Sequence, residues 1–94
     1  MRTHGRRDTN HASIRDGLRD CGWSVHDTGD VGDGFPDLVV GAAGVTVLVE
    51  VKSAGGKLRP EQVEFIDGWR APVVVAYSLE EAIRGIEAAI ARAA

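Results

Sequence analysis

Cysteine is nearly absent from this chain, and the lack is informative. Cys21 is the only one among 94 residues, which excludes an internal disulfide framework and a cysteine-built metal site. Aromatic residues make up 5% and prolines number three, too few for a Pro-rich linker or an aromatic repeat. No run of about 18 apolar residues could span a bilayer. No apolar stretch follows the Arg- and His-containing start, so a secretory signal is not expected. These absences favour a reducing, cytoplasmic setting. Positive charge is also short, with 11 Lys and Arg against 14 Asp and Glu. The balance does not advertise a nucleic-acid binder, but net charge is a poor guide where charge is segregated. Arg2, Arg6 and Arg7 crowd the start, and Lys52, Lys57 and Arg59 crowd a later stretch. The acids concentrate elsewhere, at Asp27, Asp30 and Asp33 and at Glu80, Glu81 and Glu87.

What is present reads as one small domain over residues 1–94, with residues 1–8 polar and frayed. His11, Ile14, Leu18 and Cys21 recur at helical spacing, and Gly22 fits the stop. Trp23 to His26 is a candidate short strand. Asp27 to Phe35 is full of glycine and aspartate and reads as a mobile loop. Leu38–Val40 and Val45–Val51 are aliphatic strands, with Gly41-Ala42-Ala43-Gly44 as the hairpin loop between them. Pro60 suits the first turn of a helix running to about Trp69. Residues 73–77 form a strand. Ser78-Leu79-Glu80-Glu81 has the capping-box pattern and opens a final helix with Ile83, Ile86 and Ile90 as its stripe. The order is α-β-β-β-α-β-α, an α/β domain with a mixed sheet flanked by helices. The crossover through the Pro60 helix allows the last strand to run parallel to residues 45–51.

The chemistry gathers at Pro36-Asp37 and Glu50-Val51-Lys52. Residues two apart on a strand share a face, so Glu50 and Lys52 point the same way. With a four-residue loop, Val40 pairs with Val45 and Asp37 with Leu48. Asp37 then joins that face as a diagonal neighbour of Glu50. A slip of one residue would send it to the other side. Two carboxylates with a lysine suit a divalent ion and a phosphate: Mg²⁺ is held by one or two carboxylates plus substrate oxygens. The bland alternative is an exposed, salt-bridging strand end.

Pro36-Asp37, twelve intervening residues, then Glu50-Val51-Lys52 resembles the PD-(D/E)XK nuclease superfamily. The stretches Gly34-Phe-Pro-Asp-Leu-Val-Val-Gly41, Leu48-Val-Glu-Val-Lys-Ser53 and Lys57-Leu-Arg-Pro-Glu-Gln-Val-Glu-Phe65, with Trp69, look like the VRR-NUC branch and its short phage or bacterial relatives. That branch is related to archaeal Holliday junction resolvases. The resemblance implies a restriction-endonuclease-like core and a divalent-metal-dependent DNA endonuclease. Its substrates would be branched, flapped or junction DNA, its cofactor Mg²⁺ or Mn²⁺, with no organic cofactor. Asp37 and Glu50 would bind the metal, the Val51 carbonyl would complete its shell, and Lys52 would be the catalytic lysine. Gln62 matches a glutamine placed near the site. A helix surface of Gln62, Phe65, Ile66 and Trp69 would face inward.

The chain departs from the pattern at one place. Relatives carry a metal-facing Glu after an Asn in the first helix, whereas this chain has Asn10-His11. His11 falls on the inward face. It is either a metal ligand or base, which would favour Mn²⁺, or a buried histidine bonded to a carbonyl. His4 and His26 lack partners at ligand spacing. Cys21 and Trp69 read as core, and Trp23 as packed on the first helix. Arg6, Arg7, Lys57 and Arg59 are candidate phosphate contacts. A homodimer is expected for cutting two strands. The alternatives are a silent nucleic-acid-binding module that retains the fold, and a module that binds protein through its acidic last helix.

Overall fold

The computed structural model describes residues 10–94. The elements are α1 (His11–Asp20), β1 (Ser24–Asp27), β2 (Leu38–Ala42), β3 (Val45–Val51), α2 (Pro60–Gly68), β4 (Val73–Ala76) and α3 (Leu79–Ala93). Four strands form one sheet in the order β1-β2-β3-β4. The pairs β1–β2 and β2–β3 are antiparallel, and β3–β4 is parallel. The expected order and mixed sheet are both present. The expectation for residues 1–8 lies outside the described residues.

Strand alternation divides the sheet into two unlike faces. One face carries Leu38, Val40, Ala42, Val47, Val49, Val51 and Ala76. These close on Ile14 and Leu18 of α1 and on Ala82, Ile86 and Ala89 of α3. Small residues let these layers approach. Gly17 lies against the Leu79 side chain and Gly85 against Val74, and a Cβ at either would crowd its neighbour. Ser78 caps α3 as expected, accepting from the Glu81 N–H at 3.1 Å. The Glu81 carboxylate accepts from the N–H of Tyr77, one residue earlier than a capping box requires. The buried line of α3 runs through Ala82, Ile86 and Ala89, with Ile83 and Ile90 only partly buried beside it. The stripe expected at Ile83, Ile86 and Ile90 is therefore rotated toward the alanines. They fit the close sheet contact, while the larger isoleucines flank it.

Three other expectations are corrected. Cys21 is exposed, because the helix has ended and Gly22 turns the chain at φ +88°. Trp69 is 42% exposed, because α2 ends at Gly68 and the indole stacks on Phe65 at 5.0 Å rather than entering the core. Of the α2 residues only Gln62 is buried.

The hairpin is also tighter than expected. Gly41 and Ala42 belong to β2, and Ala42 pairs with Val45. Ala43 and Gly44 alone make the turn, at φ +52° and +80°. Two successive left-handed residues match the twist of a two-residue hairpin. The register moves by two: Val40 faces Val47 and Val39 faces Leu48. An even shift keeps every side chain on its expected face. Ala43 is the strained position, since left-handed φ costs a non-glycine residue about 1–2 kcal/mol and asparagine tolerates it best. Ala43→Asn should stabilise the protein by about 0.5–1 kcal/mol, read as a rise of a few degrees in Tm. No rise would mean the turn relaxes without cost.

Candidate active site

Continuing the β2–β3 register past Leu38↔Val49 sets Asp37 opposite Glu50 and Pro36 opposite Val51. Asp37 is thus a direct cross-strand neighbour of Glu50, not the diagonal one expected from pairing with Leu48. The backbone at this end of the ladder is unusual for a physical reason. Pro36 has no N–H to give to the Val51 carbonyl. Its own carbonyl accepts from the Thr28 hydroxyl at 2.8 Å. The Val51 N–H turns instead to the Asp37 side chain, donating to Oδ2 at 2.9 Å. The proline therefore leaves the Val51 carbonyl without its ladder donor, while the Val51 N–H holds the Asp37 carboxylate beside it.

Glu50 is 2% exposed and sits on the face opposite the main core, between Val49 and Val51 in sequence. Its Oε2 accepts from the Gln62 side-chain amide at 2.8 Å. The Lys52 ammonium lies 3.7 Å from the same oxygen, and Lys52 is itself buried. The other end of Gln62, Oε1, accepts from the Arg59 N–H at 2.8 Å. One partner is an acceptor and the other a donor, so both ends of the amide are specified. Gln62 thus caps α2 and fastens that helix to Glu50. Gly34 permits the approach. It is left-handed at φ +81°, and a Cβ there would run into the Glu61 carbonyl. Phe35 meets Phe65 edge to face at 5.2 Å, packing the segment before Asp37 onto α2.

Burial pushes the Glu50 carboxyl up from an ordinary value of 4.5 to about 8. Burial is the largest cause; the charge and hydrogen bond of Asp37 contribute to the same rise, and Lys52 opposes it. Two facing carboxylates in so dry a place repel one another unless a proton or a cation sits between them. The Val51 carbonyl points to the same strand edge. This donor set suits a hard divalent ion, which takes one or two protein carboxylates and completes its shell elsewhere. Among the described residues no group of three or more His, Cys, Asp or Glu gathers that could hold a metal.

His11 is buried but stands elsewhere. Its Nε2 is 3.1 Å from Asp27 Oδ2. Asp27 faces Leu38 across the ladder, so this pair lies on the helix-covered face, away from Glu50. Asp27 closes β1 and does not belong to the following loop, where the sequence placed it. The signal for its role was parity: Val25 packs into the core, so Asp27, two residues on, shares that face. Lys57 and Arg59 are exposed, and Arg59 pairs with Glu61 at 3.0 Å. Arg6 and Arg7 lie outside the described residues. The structure therefore brings together Asp37, Glu50, Lys52 and Gln62, with the Val51 backbone, and leaves His11 apart. The sequence marked Pro36 and Gly34 only as members of a motif and a glycine-rich stretch, and gave neither a part in shaping the site.

The profile of the VRR-NUC domain matches residues 7–92. The chain belongs to the VRR-NUC domain family. That match takes in the fold from α1 to all but the last residue of α3, including the paired carboxylates and the glutamine helix. A search of curated proteins finds no match. Among the described residues of this VRR-NUC domain, no helix is long and apolar enough to cross a membrane.

The raised Glu50 carboxyl gives a signed prediction. A group that holds its proton more tightly in the folded state contributes stability in full below its unfolded pKa. That contribution is lost as pH rises through the folded value, here from about 4.5 to about 8. In EDTA, wild type should lose stability relative to Glu50→Gln across that window. The gap should grow by at least about 1 kcal/mol in urea unfolding. A gap that does not change with pH would show that Glu50 is not held protonated.

Proposed function

We propose that this VRR-NUC domain is a divalent-metal-dependent endonuclease that hydrolyses DNA phosphodiester bonds, acting on branched, flapped or junction DNA. The observation that carries the reading is the buried Glu50 carboxylate. It faces Asp37, is held by Gln62 and lies beside Lys52. A structural ion pair would have no need of a second acid across the ladder. The preference for branched DNA follows from the branch of the superfamily the chain resembles.

In this reading Asp37 and Glu50 hold Mg²⁺ or Mn²⁺ together with the Val51 carbonyl. When bound, the cation supplies positive charge beside the scissile phosphate and eases deprotonation of the attacking water. The protein's own groups do the positioning. The Val51 N–H occupies Asp37 Oδ2, and the Gln62 amide occupies Glu50 Oε2. Each carboxylate is thereby held at one oxygen, in a place where the pair would face the cation. The Lys52 ammonium neutralises charge that builds on the phosphate oxygens, and does so best where water is scarce. Lys57 and Arg59 contact flanking phosphates, which adds affinity without sequence preference. A homodimer would offer one such site to each strand.

One observation favours a second reading, a DNA-binding module that does not cut: the described residues gather two carboxylates, and His11 is bonded to Asp27 on the other face. A single experiment separates the two. Labelled duplex, flap and four-way-junction DNA are incubated with the protein in Mg²⁺ or Mn²⁺. Cleavage of at least one branched substrate is expected, with Lys52→Ala and Glu50→Ala each reducing the rate by about a hundredfold or more. Binding of these DNAs without any cleavage by the wild type would establish the second reading.

A further inference from the structure

Lys52 lies one residue beyond β3, where the sheet is coming apart. Its N–H still donates to the Ala76 carbonyl at 2.9 Å. The rungs on that edge alternate, with Leu48 donating to Pro72 and Lys52 to Ala76. The next donor in such a parallel ladder would be the N–H of Ser78, but the chain there turns into α3 as its N-cap. The Lys52 carbonyl is met instead by a side chain. Asn10 Nδ2 donates to it at 3.1 Å and also to the Tyr77 carbonyl at 3.0 Å. One amide group therefore replaces the missing rung and ties the start of α1 to the ends of both β3 and β4. The Tyr77 hydroxyl in turn donates to the Gly56 carbonyl at 2.9 Å, closing the segment that follows Lys52 onto the same point.

Asn10 makes these bonds at a local disadvantage. It precedes α1 at a residue type favoured for capping, yet it makes no side-chain cap bond to the helix. Its Oδ1 is buried and has no hydrogen-bond partner among the described residues. Leaving a buried acceptor unsatisfied is costly. The amide is spent on the two strand carbonyls instead.

We propose that Asn10 is a positioning residue for Lys52. It fixes the lysine backbone past the end of the ladder, so that the ammonium stays beside Glu50. The proposal rests on the nuclease reading for its catalytic consequence but not for its geometry. Lysine has four rotatable side-chain bonds, and a backbone free to shift by an ångström would release the head group from its slot. Small misplacements of this kind cost large factors in rate.

The test uses Asn10→Ala, with Ile86→Val as a core variant of comparable stability loss. The first measurement is reductive methylation of lysines with formaldehyde and cyanoborohydride, read by peptide mass spectrometry. The exposed Lys57 serves as internal reference. Lys52 should react at least about tenfold faster relative to Lys57 in Asn10→Ala, and at the wild-type ratio in Ile86→Val. An unchanged Lys52 ratio in Asn10→Ala overturns the proposal. The second measurement is kcat and KM on whichever DNA the wild type cleaves. Asn10→Ala should lower kcat by about tenfold or more with KM little changed. It should cause no further loss in a Lys52→Ala background, because two residues acting as one unit are not additive. Full additivity would also overturn the proposal. If the wild type cuts no DNA, the nuclease reading falls, and the methylation ratio still decides whether Asn10 holds Lys52.

Discussion

Glu50 is an acid with almost no access to water, on a strand whose neighbours in sequence are valines, and the site is arranged around making that tolerable. Removing an ionised carboxylate from water is costly, so a buried one must be protonated, paired or bound to a cation. Here burial and Asp37 push it toward the protonated form while Lys52 pulls the other way. Gln62 supplies a neutral donor that suits either state. The result is a group poised between a proton and a positive partner. A divalent ion would satisfy the same demand more completely, because it neutralises both carboxylates at once.

The supports for Glu50 come from separate parts of the chain and converge for different physical reasons. Asp37 arrives by strand register, set by a two-residue turn at Ala43-Gly44. Gln62 arrives because Pro60 and Arg59 begin a helix whose third position reaches back to cap it. Gly34 lets that helix come close. Lys52 arrives by parity, two residues beyond Glu50. The opposite face of the sheet takes no part. It is filled by aliphatic residues and covered by α1 and α3. His11 belongs to that side through its bond to Asp27.

This division of labour separates the face that stabilises the sheet from the face that carries the candidate site. One face contributes the hydrophobic burial on which a domain of this size depends. The other is thinly covered, with α2 burying little besides Gln62. Glu50, Lys52 and Gln62 are nonetheless buried there, sheltered enough for their charges to act strongly on one another. Pro36 adds to this by withholding a ladder hydrogen bond from the Val51 carbonyl, the acceptor proposed to meet a cation.

Much was legible without coordinates, and it was what depends on local rules. Helical spacing, aliphatic runs and the Ser78 cap marked the elements. The period of two along a strand placed Glu50 and Lys52 on one face however the hairpin closed. Asp37 joined them for any even loop, so its face was right although its partner was wrong: a four-residue loop and a two-residue turn share parity. What remained hidden depended on φ angles and on distant packing. Ala43 adopting a left-handed conformation has no signature in an Ala-Ala pair. The exposure of Trp69 and Cys21 followed from where a helix ended against its neighbours. The separation of His11 from Glu50 required knowing which sheet face α1 covers, and one helix is compatible with either. Periodicity belongs to a segment and is written in its residues. Which segment lies against which is settled only when the whole chain competes for the same small core.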